Sequence, residues 1–598
     1  MNAHVAAAVF YLMLQAPVNL TTPQAETRKA SIEGIIIRAT TGDPLPRAQV
    51  SLSRIAQPQA PPAPGQATPL NPTPLAQIPQ IFTESDGKFV FKDLDPGQYR
   101  IQVRANGFAN QEYGQKVVFG SGTPITLTAG QSKNDIVFKM IQDGTVTGHI
   151  RDSKGDPVPG LSVSLYRSIY NVTGTRTLSS AAGSISDDRG EYRAFFVPPG
   201  RYYVGITPTS TAAQVLVLGN NVIADRTFPT TYYPSALDVA HATMIEVQPG
   251  TELNGIDILL ILPTTYRIRG KVVDGVTGAP PRSFSVTLSM RQDLTPTSTL
   301  SIDSTRYNTT TDPSTGSFEV RSVMPGAYWL RATMSSNLDE PLPANIVTTA
   351  RTANDLLDTL LLGNRGTAQI PIDVSNSDIE GANITMMPTF SIPVQVNIDS
   401  MQLSQLGGVD RIRVNLRSSS LNSPSSSQRS PLSEDGRGTV DGVSPGEYRI
   451  QMSFGAQPDL FLKDARYGGK QVQTEPFQIT SQSSDILSIT LSNSGGRIDG
   501  TLTDSQSKPQ AGIQVVLIPD ENRDRGELYK NATTDPSGHF TMRGIPPGNY
   551  RLFAWEAIES FSYYDRDVLS KYESQGKQVH ISEAAKEPIE MKIIPAAK

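Results

Sequence analysis

Pro96-Gly97-Gln98-Tyr99, Pro199-Gly200-Arg201-Tyr202, Pro325-Gly326-Ala327-Tyr328, Pro445-Gly446-Glu447-Tyr448 and Pro547-Gly548-Asn549-Tyr550 are the stretches that decide how this chain folds. Their glycines stand 103, 126, 120 and 102 residues apart. Chance supplies one such tetrapeptide, hardly five at near-regular intervals, so the chain reads as internal repeats. A Pro-Gly turn makes a corner. The tyrosine after it can bury its ring while the hydroxyl reaches a backbone partner.

The flanks repeat too. Before each corner stands an acidic turn: Asp86-Gly87, Asp187 to Gly190, Asp312 to Gly316, Glu434 to Gly436 and Asp535 to Gly538. Asp can hydrogen-bond its own backbone two residues on and Gly accepts positive φ, so these read as hairpin turns. After each corner the pattern has period two, as in Tyr99, Ile101 and Val103 against Arg100, Gln102 and Arg104. That is a half-buried strand. Four units open with Gly34-Ile35, Gly148-His149, Gly270-Lys271 and Gly500-Thr501, whereas the fourth opens with Val394-Gln395-Val396 and lacks the glycine. Closing strands follow, such as Ile136/Phe138/Met140 and Ile256/Ile258/Leu260. About seven short strands per unit make an antiparallel β-sandwich.

Composition agrees. A chain of 598 residues exceeds any single core. Charged residues are 18 % of it, and 48 Gly and 45 Pro suit many strands joined by turns. A net charge of −5 gives no footprint for nucleic acid. Cysteine is absent and there are five histidines, which removes disulfides and thiolate chemistry and leaves little for a metal or a general base. The apolar run Val5–Leu14, followed by Ala16, is too short to span a bilayer and has the length of a signal-peptide core, although Met1–His4 lacks Lys and Arg and Pro17 follows Ala16. Export is expected, with no transmembrane anchor in the chain.

The stretch from Glu33-Gly34-Ile35 to Gly107-Phe108, with the Asp-Gly turn and Pro-Gly-x-Tyr between, resembles the carboxypeptidase regulatory-like domain. The resemblance covers about residues 31 to 598 in five copies. It implies a transthyretin-like sandwich, similar to the B-type repeats of bacterial collagen adhesins, and an accessory or stalk role without catalysis. The expected fold is therefore all-β, a tandem array of five seven-stranded Greek-key β-sandwiches of transthyretin-like or immunoglobulin-like type. Residues 1–30 are a signal peptide or disordered segment, and the sandwiches occupy 31–143, 144–265, 266–391, 392–494 and 495–598. Loop 55–82 is Pro-rich and loop 417–433 Ser-rich. Short linkers, such as Ile141 to Thr145, make the array semi-rigid.

Few residues suggest chemistry. His580-Ile581-Ser582-Glu583 matches half of a zinc carboxypeptidase site, but no histidine follows. Asp520 to Gly526 spaces oxygen ligands as calcium loops do, yet carries Arg525 where glycine belongs and Asn531 where glutamate belongs. No cofactor or metal is expected. Lys271 is the only lysine in an opening strand, so Lys–Asn crosslinks are not expected either. Aromatic residues remain. Strand alternation turns Trp329 and Trp555 away from the core, Tyr203 has the place of Trp329 in the second unit, and Tyr232-Tyr233 and Tyr563-Tyr564 are paired. Exposed rings of this kind can stack on sugars. The alternative is that they pack under loops or between units. The expected function is an exported, non-catalytic binding or spacer array outside the cell, on its surface or in the periplasm, with polysaccharide or other surface proteins as partners. The alternative is an accessory subunit of an extracellular hydrolase or outer-membrane transporter.

Overall fold

The computed structural model describes residues 28–55, 78–207, 230–291, 307–334, 366–418 and 432–596, apart from isolated positions, with short strands at Leu216–Leu218, Asn221–Ile223 and Ser426–Gln428. The apolar run Val5–Leu14 and most of the Pro-rich and Ser-rich loops lie outside the described residues. Strand makes up 56 % and helix 5 %, which satisfies the all-β expectation.

Each unit has the same two layers. In the first layer the opening strand is central: Ala30–Arg38, Gly144–Asp152, Tyr266–Asp274, Phe390–Ile398 and Gly496–Thr503. On one side of it runs the strand leading into the corner, such as Lys88–Leu94 or His539–Ile545, paired antiparallel. On the other side runs the closing strand, such as Ser132–Met140 or Lys586–Lys592, parallel to the opening strand. The wholly antiparallel sandwich read from the sequence is thus corrected where the closing segment meets the opening strand, at one pair in most units and two in the second. A period-two pattern gives a strand's faces but not its direction. First and last strands that run the same way make the chain enter and leave a unit at opposite ends, which suits tandem linkage.

The second layer pairs the second strand with the strand after the corner, for example Gln49–Arg54 with Gly97–Ala105 and Gln514–Pro519 with Gly548–Ala554. Between the layers lie separate apolar clusters, one within each span read as a unit. In 392–494 the layers are joined through Ser426–Gln428 into one nine-stranded sheet.

The corner tyrosines sit at the centre of these clusters. Tyr99, Tyr202, Tyr328, Tyr448 and Tyr550 are buried. Each hydroxyl donates to the carbonyl oxygen four residues earlier: Asp95 at 2.7 Å, Pro198 at 2.5 Å, Met324 at 3.0 Å, Ser444 at 2.8 Å and Pro546 at 2.8 Å. Burial raises the phenols of Tyr99 and Tyr328, and pushes those of Tyr202 and Tyr550 up to about 12. The hydroxyl is therefore a donor at any ordinary pH, as the carbonyl requires.

The opening glycines have a steric cause. They pair with Phe89, Tyr192, Phe318 and Phe540, and a Cβ there would stand 2.2 to 3.0 Å from ring carbons and, at Gly34, Gly148 and Gly270, 2.0 to 2.4 Å from the carbonyl oxygens of Ile136, Ile256 and Ala382. In the fourth unit the pair is inverted. Val394 stands on the opening strand and its partner is Gly438. The glycine of the pair thus stands on the other strand.

Candidate functional site

The outer face of the second layer is where the rings expected to bind are found, and the units treat it differently. In the third unit Trp329 lies on the strand Gly326–Met334, between Ser289 on one neighbouring strand and Pro371 on the other. Its ring is partly exposed. The Arg291 guanidinium stands 6.0 Å from the ring centre and pairs with Asp373 at 2.8 Å. Arg331 donates to Gln369 at 3.2 Å two residues further along. A flat apolar surface bordered by donors and acceptors is what a sugar face requires.

Trp555 does not meet that expectation. It does turn away from the sandwich core, but it is 5 % exposed. Residues 556–576 fold back over it as short helical turns, Ser562–Tyr564, Arg566–Ser570 and Glu573–Gln575. They bury a second apolar cluster with Val516, Ile518, Phe553 and Leu569. Trp555 stacks on Phe553 at 5.2 Å with an interplanar angle of 1°, and on Tyr563 at 6.2 Å. Tyr563 is buried as well, and Tyr564 is wedged between Tyr563 and Tyr529, 5.0 and 4.3 Å away. These rings are a core, not a platform. The reason is an apolar segment that covers the face they occupy.

The second unit is intermediate. Tyr232 is buried edge-on to Tyr166 at 6.5 Å, Tyr203 packs partly against the same cluster, and Tyr233 packs partly against the main core. Only Trp329 and Tyr203 keep the outward, partly open position expected of them.

The cover of the fifth unit is tied down by charge. Arg551, which has the place of Trp329, donates to the Glu573 carboxylate at 2.7 Å and to its carbonyl at 3.0 Å. Its Nε lies 2.9 Å from Asp520 as an ion pair without hydrogen-bond alignment. The Arg523 guanidinium also binds Glu573 and holds that carboxyl below the usual glutamate range. Asp520, the first position of the calcium-like loop, is thus engaged by arginine. His580 meets Asn549 at 2.8 Å and Glu583 pairs with Lys463 at 3.0 Å, so the zinc-like tetrapeptide is split between two partners. Among the described residues no three His, Cys, Asp or Glu side chains are grouped to hold a metal. No described helix is long and apolar enough to cross a membrane.

A two-layer sandwich recurring along the chain defines a modular repeat protein. The sequence model of the carboxypeptidase regulatory-like domain matches residues 31–140 and 497–568, so the first and last units are similar to that domain. No curated protein matches the chain. Among solved structures, a minor pilin of Streptococcus agalactiae is similar at 14 % identity over 40 % of this chain and 97 % of its own, with a TM-score of 0.21. The TIE protein of Bacillus anthracis is 10 % identical over 92 % of this chain and 68 % of its own, with a TM-score of 0.13. The major pilin subunit of Bacillus cereus is 10 % identical over 75 % and 99 %, with a TM-score of 0.12.

Proposed function

We propose that the chain is an exported, non-catalytic array of carboxypeptidase regulatory-like sandwiches that works outside the cell, on its surface or in the periplasm as a binding and spacer element, with polysaccharide as the ligand. The observation that carries this reading is the division of labour within each unit. The corner recurs with the same tyrosine-to-carbonyl contact in every unit, while the outer faces and the sequences before the acidic turn differ from unit to unit. A scaffold held constant beneath a varied surface is the arrangement of a binding array. Trp329, with Arg291, Asp373 and Gln369 around it, supports a sugar as the ligand. One ring contributes about 0.5–1.5 kcal/mol, so useful affinity comes from several units engaged on one polymer.

The test is retention of the purified chain on cellulose, chitin, starch and xylan, together with fractionation of the producing cell. Retention on at least one polymer and recovery outside the cytosol are expected. A chain that passes through all four, or that stays in the cytosol with its N-terminus intact, rules the reading out.

A further inference from the structure

Every unit has a β-bulge in the strand that leads into the corner. Two residues there oppose one on the opening strand: Lys92-Asp93, Phe195-Phe196, Arg321-Ser322, Asp441-Gly442 and Arg543-Gly544. The second residue of each pair is left-handed, with φ of 57°, 55°, 59°, 70° and 63°. A bulge of this kind turns both of its side chains off the core. Four units place a charged residue first and glycine or a short polar residue second. These choices suit a solvent position and a left-handed backbone.

The second unit breaks both rules. Phe195 is 52 % exposed and Phe196 61 % exposed, although Phe196 is the bulkiest residue at any of the five left-handed positions. Nothing in the stability of the unit recommends this pair, because it combines backbone strain with apolar area left in water. The two rings lie 6.3 Å apart. The Arg193 guanidinium stands 4.9 Å from the centre of the Phe195 ring and 3.4 Å from the Glu252 carboxylate. Phe196 also borders Gly107 of the preceding unit, yet that contact leaves most of the ring uncovered.

Size and chemistry select the occupant. Two half-exposed phenylalanines offer on the order of 200 Å², far below the roughly 800 Å² per partner of a stable protein interface. A second copy or a folded protein is therefore too large a partner for this patch alone. A sugar ring fits, having one apolar face to lay on a phenyl ring and hydroxyls at its rim for the donors of Arg193 and the acceptors of Glu252. We propose that the Phe195–Phe196 bulge is a second polysaccharide contact, on the opposite layer of the array from Trp329. This rests on the carbohydrate reading above and adds to it a site at the bulge.

The experiment compares the full chain with F196G, with F195K/F196D, which installs the pair of the first unit, and with W329A, on the polymer that retains the parent. F196G is expected to melt at the same temperature or higher, because glycine relieves the left-handed strain, and to lose about fivefold in retention, the worth of one stacked ring. F195K/F196D is expected to lose at least as much. Undiminished retention of F195K/F196D, with W329A impaired, would remove the bulge site and leave the carbohydrate reading standing. Loss of the parent's retention on every polymer would remove both. A clear fall in the melting temperature of F196G would mean that the ring is structural. A parent that dimerises in sedimentation while F195K/F196D is monomeric would make a second copy the occupant and overturn the proposal.

Discussion

The third and fifth units present the same outer sheet face and use it in opposite ways. Residues one past the corner tyrosine point outward in both. In the third unit that residue is Trp329, partly exposed beside Arg291; in the fifth it is Arg551, which ties down a cover through Glu573. The other tryptophan, Trp555, lies beneath that cover. An outward position in a strand states which layer a ring leaves, not what it meets. Two tryptophans with the same sequence signature are therefore a candidate platform and a core residue.

The largest expected effect separates them directly. Trp555→Ala removes a ring stacked between Phe553 and Tyr563, and should cost about 3–5 kcal/mol in the unfolding of the fifth unit, as large aromatic deletions in cores do. Chemical denaturation followed by tyrosine fluorescence measures it. Trp555→Phe should cost much less, since the indole N–H has no partner to lose. A Trp555→Ala variant as stable as the parent would show the cover to be open.

Arg551→Ala comes next. It leaves Glu573 and Asp520 partly unpaired at a half-buried site, and a loss of about 1.5–3 kcal/mol is expected for hydrogen bonds to charged groups. Acid should reproduce part of this. The carboxyl of Glu573 is held below its unfolded value by Arg523, so its contribution is complete above the ordinary glutamate range and is lost as pH falls through the lower folded value. Protease nicking within 556–576 should therefore rise as pH falls below the ordinary glutamate range, and at a higher pH in Arg551→Ala. The third unit, with tryptophan in the place of Arg551, lacks this acid-sensitive tie.

The corner is the control that both units share. Tyr550→Phe removes one hydroxyl-to-carbonyl bond and should cost about 1 kcal/mol. Tyr328→Phe should cost more, because the Tyr328 hydroxyl also takes a hydrogen bond from Tyr307, which would be left without that partner.

How far the sequence could be read follows from what each signal measures. The corner, the acidic turn and the buried alternation are local, so Tyr99 and its four counterparts, and inward residues such as Ile101 and Leu552, are where period and turn chemistry place them. Strand direction is not local, and the parallel closing strand could not be seen in Ile136/Phe138/Met140. The absence of the opening glycine at Val394 had a trace in Gly438, but only the register pairs the two. The cover of Trp555 also left a trace. Ile558, Phe561, Tyr563, Tyr564, Leu569 and Tyr572 are too apolar for a solvated loop, and such an excess calls for a second core. The bulge was invisible, because its mark is one residue of changed handedness, filled by five different pairs.

The smallest stability effect, and the one that decides whether the outer faces bind anything, belongs to Trp329. Its ring is only partly buried, and its strand neighbours Ser289 and Pro371 would close little space around it. Trp329→Ala should change the unfolding free energy by no more than about 0.5 kcal/mol, as surface substitutions away from special features do. If the ring is a platform, the same variant should be retained severalfold less on polysaccharide, with Trp329→Phe partly restoring retention because the flat face remains. A large stability loss in Trp329→Ala would instead place this ring with Trp555, under a cover of its own. The third unit would then be a second instance of the fifth rather than its contrast.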